Sequence, residues 1–489
     1  MIEIASGECG SGKTLSIIYP RILKLYSEGQ PVLVVLPSLD LIRSYEQYLR
    51  QQIYWIRGQR AENWMRDLEA ITSTDFDNVQ AELHQSLNRN CMIILISQKA
   101  FLMSDIGTEY RANTGANPEM SGRFLIIDEA IEPYKEIAYY YRDRCQVDYK
   151  WNDTATIFDS TDAAVNWQHI RFQGLTGSSL LEESESFRNL TNTNWLTRIT
   201  QQDAVRLNSS VSRDNPIIFS QELNPDLLKN WQGCLIAAAN FTDTFMSVWM
   251  DCHDISYRLL KDSQFQPHLT QVEIHYIRDL HWSRYKQQNY ASILEEYKRC
   301  VQTELGTDSV IVLRNSDQIS EFENEVRVKH NSHGDNRFRS HTNISLESAL
   351  NLTPTLEQFL RARLAEVFFQ RGIEPQKQRD FIFRARTLYT FYQSVMRSSL
   401  RDGTPARIFC LDQRVALGLV GYLPHARLVE MPITLPEMKK HTGRPQGTSK
   451  GHRAMTGPER NRYRRLRQQQ RCQHLSDDEL RDLILNGLI

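Results

Sequence analysis

The chain has 489 residues, 40% of them hydrophobic and 24% charged, which suits a globular protein of two or three domains and excludes a fibrous or disordered chain. No run approaches 18 consecutive apolar residues, and the N-terminus, MIEIASGECG, lacks the basic and apolar regions of a signal peptide, so neither a membrane span nor secretion is expected. The formal net charge of −1 hides an asymmetry: Lys439 to His474 holds eleven Lys/Arg and one acid, Glu459, a balance of +10 against −11 for the rest. Such a basic block points to a polyanionic partner, most simply nucleic acid, with a solubilising tail as the plainer reading. Eight cysteines are scattered without a C-x-x-C pair, which gives no sign of a disulfide framework or zinc site and fits a reducing cytoplasm.

The first predicted element is an apolar strand, Ile2–Ala5. It runs into Gly7-Glu8-Cys9-Gly10-Ser11-Gly12-Lys13-Thr14, a complete G-x-x-x-x-G-K-[ST] phosphate loop, and a helical segment follows from Thr14 to Glu28. Strand, glycine turn and helix in that order are the context the motif requires. The turn's N–H groups can surround a phosphate, Lys13 adds a mobile positive charge, and the Thr14 hydroxyl can ligate Mg²⁺. Cys9 lies inside the loop, where its oxidation would obstruct nucleotide entry. Pro20 should kink the helix or tighten its course.

Apolar runs at Val32–Leu36, Met92–Ile96, Phe124–Ile127 and Cys234–Ala238 read as buried parallel strands, with helical patterns such as Leu39–Gln51 between the early ones. Alternation of this kind predicts a doubly wound parallel sheet. The interval 131–233 is rich in Asn, Thr, Ser and aromatics (Tyr139, Tyr140, Tyr141, Trp151, Trp167, Trp195) and reads as an insertion of undetermined fold. Its aromatics can stack on bases, although packing of an accessory subdomain is the commoner role.

A second series follows at Val272–Tyr276, Val310–Leu313, Asn343–Leu346, Arg407–Leu411 and Leu428–Val429, with helical stretches Leu356–Phe369 and Phe381–Leu400. It reads as a second α/β domain without a phosphate loop of its own, and two such domains make a nucleotide-holding cleft the expected site. The domain boundaries expected are 1–255, 268–435 and a basic tail, 436–489. In the tail, Thr456-Gly457-Pro458-Glu459 and Ser476-Asp477-Asp478-Glu479 fit capping boxes opening two short helices.

Phe124-Leu125-Ile126-Ile127-Asp128-Glu129-Ala130 is an apolar strand ending in two acids. Asp128 at its tip can hold Mg²⁺, and Glu129 can orient or deprotonate an attacking water. Gln393, Arg397 and Arg401 are spaced four apart and are predicted to share one helix face lining the interdomain cleft, where an arginine can neutralise charge on a transferred phosphoryl group. Ser38 and Ser97 each follow a strand, where a hydroxyl can contact a nucleic-acid phosphate or simply cap a helix. Cys252-His253 has no partners at metal-ligand spacing.

Asp128-Glu129-Ala130-Ile131 resembles the DEAx box of superfamily 2 helicases of the DEAD/DEAH type, in the style of those carried by phages and plasmids. Other segments fall in that family's order over about residues 1–435. Leu36-Pro37-Ser38-Leu39-Asp40-Leu41 and Ile96-Ser97-Gln98-Lys99-Ala100 resemble its segments that touch the nucleic-acid backbone. Ala237-Ala238-Ala239-Asn240 stands where the family usually has Ser-Ala-Thr, the element coupling hydrolysis to strand movement. His333-Gly334-Asp335-Asn336 resembles a degenerate fifth motif. Tyr392–Arg401 resembles the sixth, Q-x-x-G-R-x-x-R, with Met396 in place of Gly and the last Arg one place late. Thr442-Gly443-Arg444-Pro445 is similar to the Gly-Arg-Pro core of an AT-hook, and Arg464 and Arg465 lie in the Arg-rich run that could track phosphates.

The fold expected is therefore α/β, with two RecA-like parallel-sheet domains, an inserted accessory segment and a basic helical C-terminal tail. The function expected is an ATP- and Mg²⁺-dependent nucleic-acid translocase or helicase acting in the cytoplasm, on DNA more than RNA, alongside replication or recombination proteins. Only six residues precede the phosphate loop, so no upstream adenine-reading segment is expected. Two rivals stand beside it: a viral DNA-packaging ATPase with a nuclease second domain, and an ATP-switched DNA-binding replication regulator.

Overall fold

The computed structural model describes residues 1–57, 67–104, 122–139, 155–158, 167–172, 189–190, 192, 194–200, 203–204, 217–229, 231–260, 270–315, 322, 324–328 and 337–436. The N-terminal apolar run forms β1 (Ile2–Gly7), followed by β2 (Val32–Leu36), β3 (Leu68–Ile71), β4 (Ile93–Ser97) and β5 (Phe124–Asp128). The insertion contributes β6 (Tyr134–Tyr139), β7 (Ala155–Phe158), β8 (Trp167–Phe172), β9 (Trp195–Thr200) and β10 (Ile217–Leu223). The chain then returns through β11 (Gly233–Ala239) and β12 (Tyr257–Leu259).

The first sheet is parallel, in the order β12-β1-β11-β5-β2-β4-β3. Successive side chains point to opposite faces, so each strand feeds two cores. Leu33, Val35, Ile94, Ile96, Leu125 and Ile127 face one side, while Val32, Val34, Leu36, Ile93, Leu95 and Ile126 face the other with Ile42, Tyr45, Leu49 and Ile53 of the helix Leu39–Arg57. That two-sided burial is why these strands read as continuous apolar runs. The order places the C-terminal ends of β1, β11 and β5 side by side, with Ala239 opposite Gly7 and Ala237 opposite Asp128.

The insertion is an antiparallel sheet, β6-β10-β9-β8-β7. Trp195 is buried in it, with the Lys135 ammonium 3.9 Å from its ring centroid. Burial brings the Lys135 pKa down to about 8. Trp195 therefore packs instead of offering a stacking face. The side chains of Tyr139, Tyr140, Tyr141, Trp151 and Trp167 lie outside the described ones.

The second lobe holds β13 (Val272–Tyr276), β14 (Val310–Leu313), β15 (Glu325–Arg327), β16 (Asn343–Leu346), β17 (Ala406–Cys410) and β18 (Ala426–Glu430). They form another parallel sheet, β15-β14-β16-β17-β13-β18. The fold is α/β, with two RecA-like parallel sheets.

Several predicted helices are corrected. The segment from Thr14 begins as a π-helical turn, Thr14–Ile18, before the α-helix Tyr19–Ser27. Pro20 sits in the first turn of that helix, where its missing N–H costs nothing, so it falls at the change of helix type. Leu356–Phe369 is two helices, Pro354–Arg363 and Ala365–Gln370, broken at Leu364 with ψ near 2°. Phe381–Leu400 is a helix Gln378–Phe383, a π turn Arg384–Leu388, a helix Tyr389–Val395 and a 3₁₀ turn Ser399–Asp402.

The helices from Pro354 to Phe383 lie in sequence between β16 and β17, yet they pack into the first lobe, against β10 of the insertion and the helix Phe245–Cys252. Phe359, Leu360, Val367, Phe368, Phe381 and Ile382 share a core with Tyr134, Phe245 and Trp249. Polar ties reinforce this arm: Thr353 donates to Glu136 at 2.5 Å, and Arg386 pairs with Glu132 at 3.2 Å. The crossing back is abrupt, since Ala385 belongs to the first-sheet core and Leu388 to the second. No helix among the described residues is long and apolar enough to cross a membrane. The capping boxes of the tail and Arg444, Arg464 and Arg465 lie outside the described residues, as does His333–Asn336.

Candidate active site

The glycine turn leaves the end of β1. Gly10 and Gly12 have φ of +80° and +78°, a left-handed backbone that glycine adopts without steric cost. Lys13 Nζ donates to the Glu8 carbonyl at 2.8 Å, to the Gly7 carbonyl at 3.2 Å and to Ser11 Oγ at 3.4 Å, so its charge lies over the turn. Cys9 is in this turn, but burial, aided by the nearby Glu129 charge, pushes its thiol up to about 12. That disfavours the thiolate, the form that oxidants attack.

The buried run of β5 delivers Asp128 at its tip. Tyr45 donates to Asp128 Oδ2 at 2.6 Å, and the Thr14 hydroxyl is a second hydrogen-bond partner of Tyr45. One phenol thus brings together the two side chains that would hold Mg²⁺. Burial raises the Asp128 pKa to about 6; the Tyr45 hydrogen bond, Lys13 and Arg401 oppose that rise, and Glu129 adds to it.

Glu129 has φ of +83°, a conformation uncommon for a residue with a Cβ. Its N–H donates to the Ala237 carbonyl at 2.7 Å, and its carbonyl accepts Gln98 Nε2 at 2.9 Å. Backbone strain held in place by two neighbouring elements is typical of functional sites. The carboxylate is met from the other lobe: Oε1 accepts the Tyr389 hydroxyl at 2.6 Å and Gln393 Nε2 at 2.7 Å.

Gln393, Arg397 and Arg401 do not share one helix face. The helix ends at Val395, the Ser398 hydroxyl caps the next turn by accepting the Leu400 N–H, and Arg401 rides on that 3₁₀ turn. All three nevertheless line one cleft of about 300 Å³ with the glycine turn, Asp128 and Glu129. Arg401 Cγ stands 3.3 Å from where a Cβ on Gly10 would lie.

Glu8 is buried, and its carboxylate meets Tyr392 and Asn240 Nδ2, the latter at 3.4 Å. Asn240, at φ +43°, also donates its N–H to the Gly7 carbonyl at 3.0 Å. Asn240 is thus tied directly to the glycine turn. Ser38 Oγ accepts the Leu41 N–H at 3.3 Å and Ser97 Oγ accepts the Ala100 N–H at 3.1 Å, so both cap helices. Cys252-His253 belongs to an ion cluster: His253 Nε2 lies 3.0 Å from Glu222 Oε1, while Arg198 and Arg363 approach Oε2 at 2.6 and 3.0 Å.

The sequence marks no site role for Tyr45, Gln98, Tyr389 or Tyr392, nor for Arg339, which lines the cleft. The available signal was spacing: Tyr389 precedes Gln393 by one helical turn. Gln98 stands inside a segment already noted.

No protein-family model matches the chain, and no curated protein matches it. Among solved structures it is similar to S. tokodaii Xpd4, with a TM-score of 0.46 and 10% identity over 88% of this chain and 96% of that one. A structure described as an XPD helicase gives 0.46 and 11% over the same shares. Mss116p with its NTE and C-tail deleted, bound to ssRNA and AMP-PNP, gives 0.37 and 10% over 88% of this chain and 71% of that one.

Proposed function

We propose that the protein is an ATP-dependent nucleic-acid translocase of the superfamily 2 helicase kind, hydrolysing ATP between its two lobes. One observation carries this reading: a glycine turn and two acids of the first lobe line the same cleft as Gln393, Arg397 and Arg401 of the second. The donor set suits a triphosphate. Turn amides and Lys13 would hold its phosphates, and Thr14 with Asp128 would hold Mg²⁺. When bound there, Mg²⁺ would supply positive charge that offsets the charge of the phosphates.

Glu129 orients the attacking water and accepts its proton, with Tyr389 and Gln393 fixing the carboxylate. Arg397 and Arg401 stabilise charge on the transferred phosphoryl group. Because these groups come from the far lobe, hydrolysis needs a closed cleft, and release of product would open it. Asn240, bonded to Glu8, sits where such opening would reach the β11 tip. The basic tail would add affinity for nucleic acid, DNA more than RNA, without reading bases.

The deciding measurement is ATP turnover with and without single-stranded DNA, double-stranded DNA and RNA. Stimulation by one polymer, lost in Lys13→Ala, is the expected result. Slow turnover indifferent to all three, with no strand separation, would favour the switched regulator. The nuclease rival needs a cluster of acids; among the described residues no three His, Cys, Asp or Glu side chains converge to hold a metal.

A further inference from the structure

Tyr392 is fully buried and reaches from the second lobe to the glycine turn of the first. Its hydroxyl donates to Glu8 Oε2 and accepts the Cys9 N–H at 3.2 Å. The same Glu8 oxygen accepts Asn240 Nδ2 at 3.4 Å. The Tyr392 ring stacks on Tyr422 with centroids 4.5 Å apart, and the Tyr422 hydroxyl donates to Asp243 Oδ2 at 3.1 Å. Asn240 and Asp243 both belong to the turn that leaves β11. Two stacked tyrosines of one lobe therefore grip the glycine turn and the turn beside it on the other.

Glu8 is 7% exposed, and a carboxylate so enclosed depends on its donors. One donor, Asn240, comes from its own lobe, and the other, Tyr392, from the opposite one. Parting the lobes removes the second donor and also breaks the Cys9 N–H bond to the Tyr392 hydroxyl. The shape of the glycine turn is thus linked to lobe closure by a contact that touches none of the acids or arginines assigned to hydrolysis.

We propose that Tyr392 is a positioning residue that sets the glycine turn from the opposite lobe, so that tight nucleotide binding and lobe closure are one event. The proposal rests on the nucleotide reading above. Tyr392→Phe keeps the ring and removes the hydroxyl. In the full-length chain, titrated with a fluorescently labelled AMP-PNP, it should weaken binding about tenfold to a hundredfold, the scale of a lost hydrogen bond to a charged group. KM for ATP should rise in parallel while kcat falls far less. Asn240→Ala should weaken binding too, and the double variant should lose less than the product of the two effects, because both residues share Glu8 Oε2. Glu8→Gln, which keeps the volume, should shift affinity in the same direction.

Wild-type affinity in Tyr392→Phe or Glu8→Gln, when Lys13→Ala has lost binding, overturns the proposal and leaves the nucleotide reading standing. A fall in kcat with affinity unchanged overturns it equally. Undiminished binding by Lys13→Ala overturns the nucleotide reading, and the proposal falls with it.

Discussion

The Glu129 carboxylate and the Gln393 side-chain amide meet at 2.7 Å across the seam between the two lobes. The bond joins the residue that follows β5 to the helix Tyr389–Val395. Glu129→Gln should lower ATP turnover by about 10²–10⁴-fold, the range for loss of a general base. Gln393→Ala should cost less, since Tyr389 still donates to the same oxygen. Steady-state phosphate release checks both, and normal turnover in Glu129→Gln removes that residue from the role of base.

Arg401→Ala should lower kcat by about a thousandfold while changing nucleotide affinity much less, because its charge matters when the phosphoryl group is in transit. Arg401→Lys should not restore activity, as a lysine lacks the guanidinium fork. Gly10→Ala should mimic part of this loss: a Cβ there would crowd Arg401 Cγ and strain a φ of +80°. Comparing kcat with KM in the three variants separates displacement of the arginine from damage to the turn.

Glu347 lies at the end of β16, fully buried, with its Oε1 accepting the Ser345 hydroxyl at 2.9 Å. Burial raises its pKa to about 7, against opposition from Ser345, Arg314 and Lys298. An acid raised on folding favours the folded state while protonated; that contribution is whole below about pH 4.5 and is lost as the pH climbs through about 7. Glu347→Gln should therefore track the wild type near pH 5 and be more stable by on the order of 2–3 kcal/mol at pH 8. Urea unfolding at the two pH values tests this, and an effect of equal size at both counts against it.

Glu222 behaves in the opposite sense. Its burial would raise the pKa, but His253, Arg198 and Arg363 together bring it down to about 2. The stability it supplies is present above about pH 4.5 and fades only as the pH falls through about 2. Glu222→Ala removes the buried carboxylate that Arg198, Arg363 and His253 share and should destabilise the protein by about 3–5 kcal/mol, measured by denaturant unfolding at neutral pH. Because Arg198 is on the inserted sheet and Arg363 on the arm, loss of this pair should also loosen the arm.

Much of this architecture is legible in the chain because doubly buried strands announce themselves. Val32–Leu36 and Phe124–Asp128 are continuous apolar runs, and an acid ending one of them stands out. Short edge strands such as Leu68–Ile71 carry no such run. The antiparallel insertion has weak alternation, so its sheet does not show in the sequence. Gln393, Arg397 and Arg401 have helical spacing, but nothing in that spacing shows that the helix stops at Val395. The tyrosines were hidden for another reason. Tyr45 falls in the apolar stripe Ile42, Tyr45, Leu49, Ile53, where it reads as core, and only the folded chain reveals that its hydroxyl touches Asp128.

The arm between β16 and β17 has a practical corollary for anyone dividing this chain. Phe359, Phe368 and Phe381 are interred in the core of the first lobe although they are encoded with the second sheet. A fragment starting at residue 268 would emerge with that aromatic surface bare and would clump, while one stopping at 255 would lack its own floor. The two halves are thus best expressed as one polypeptide.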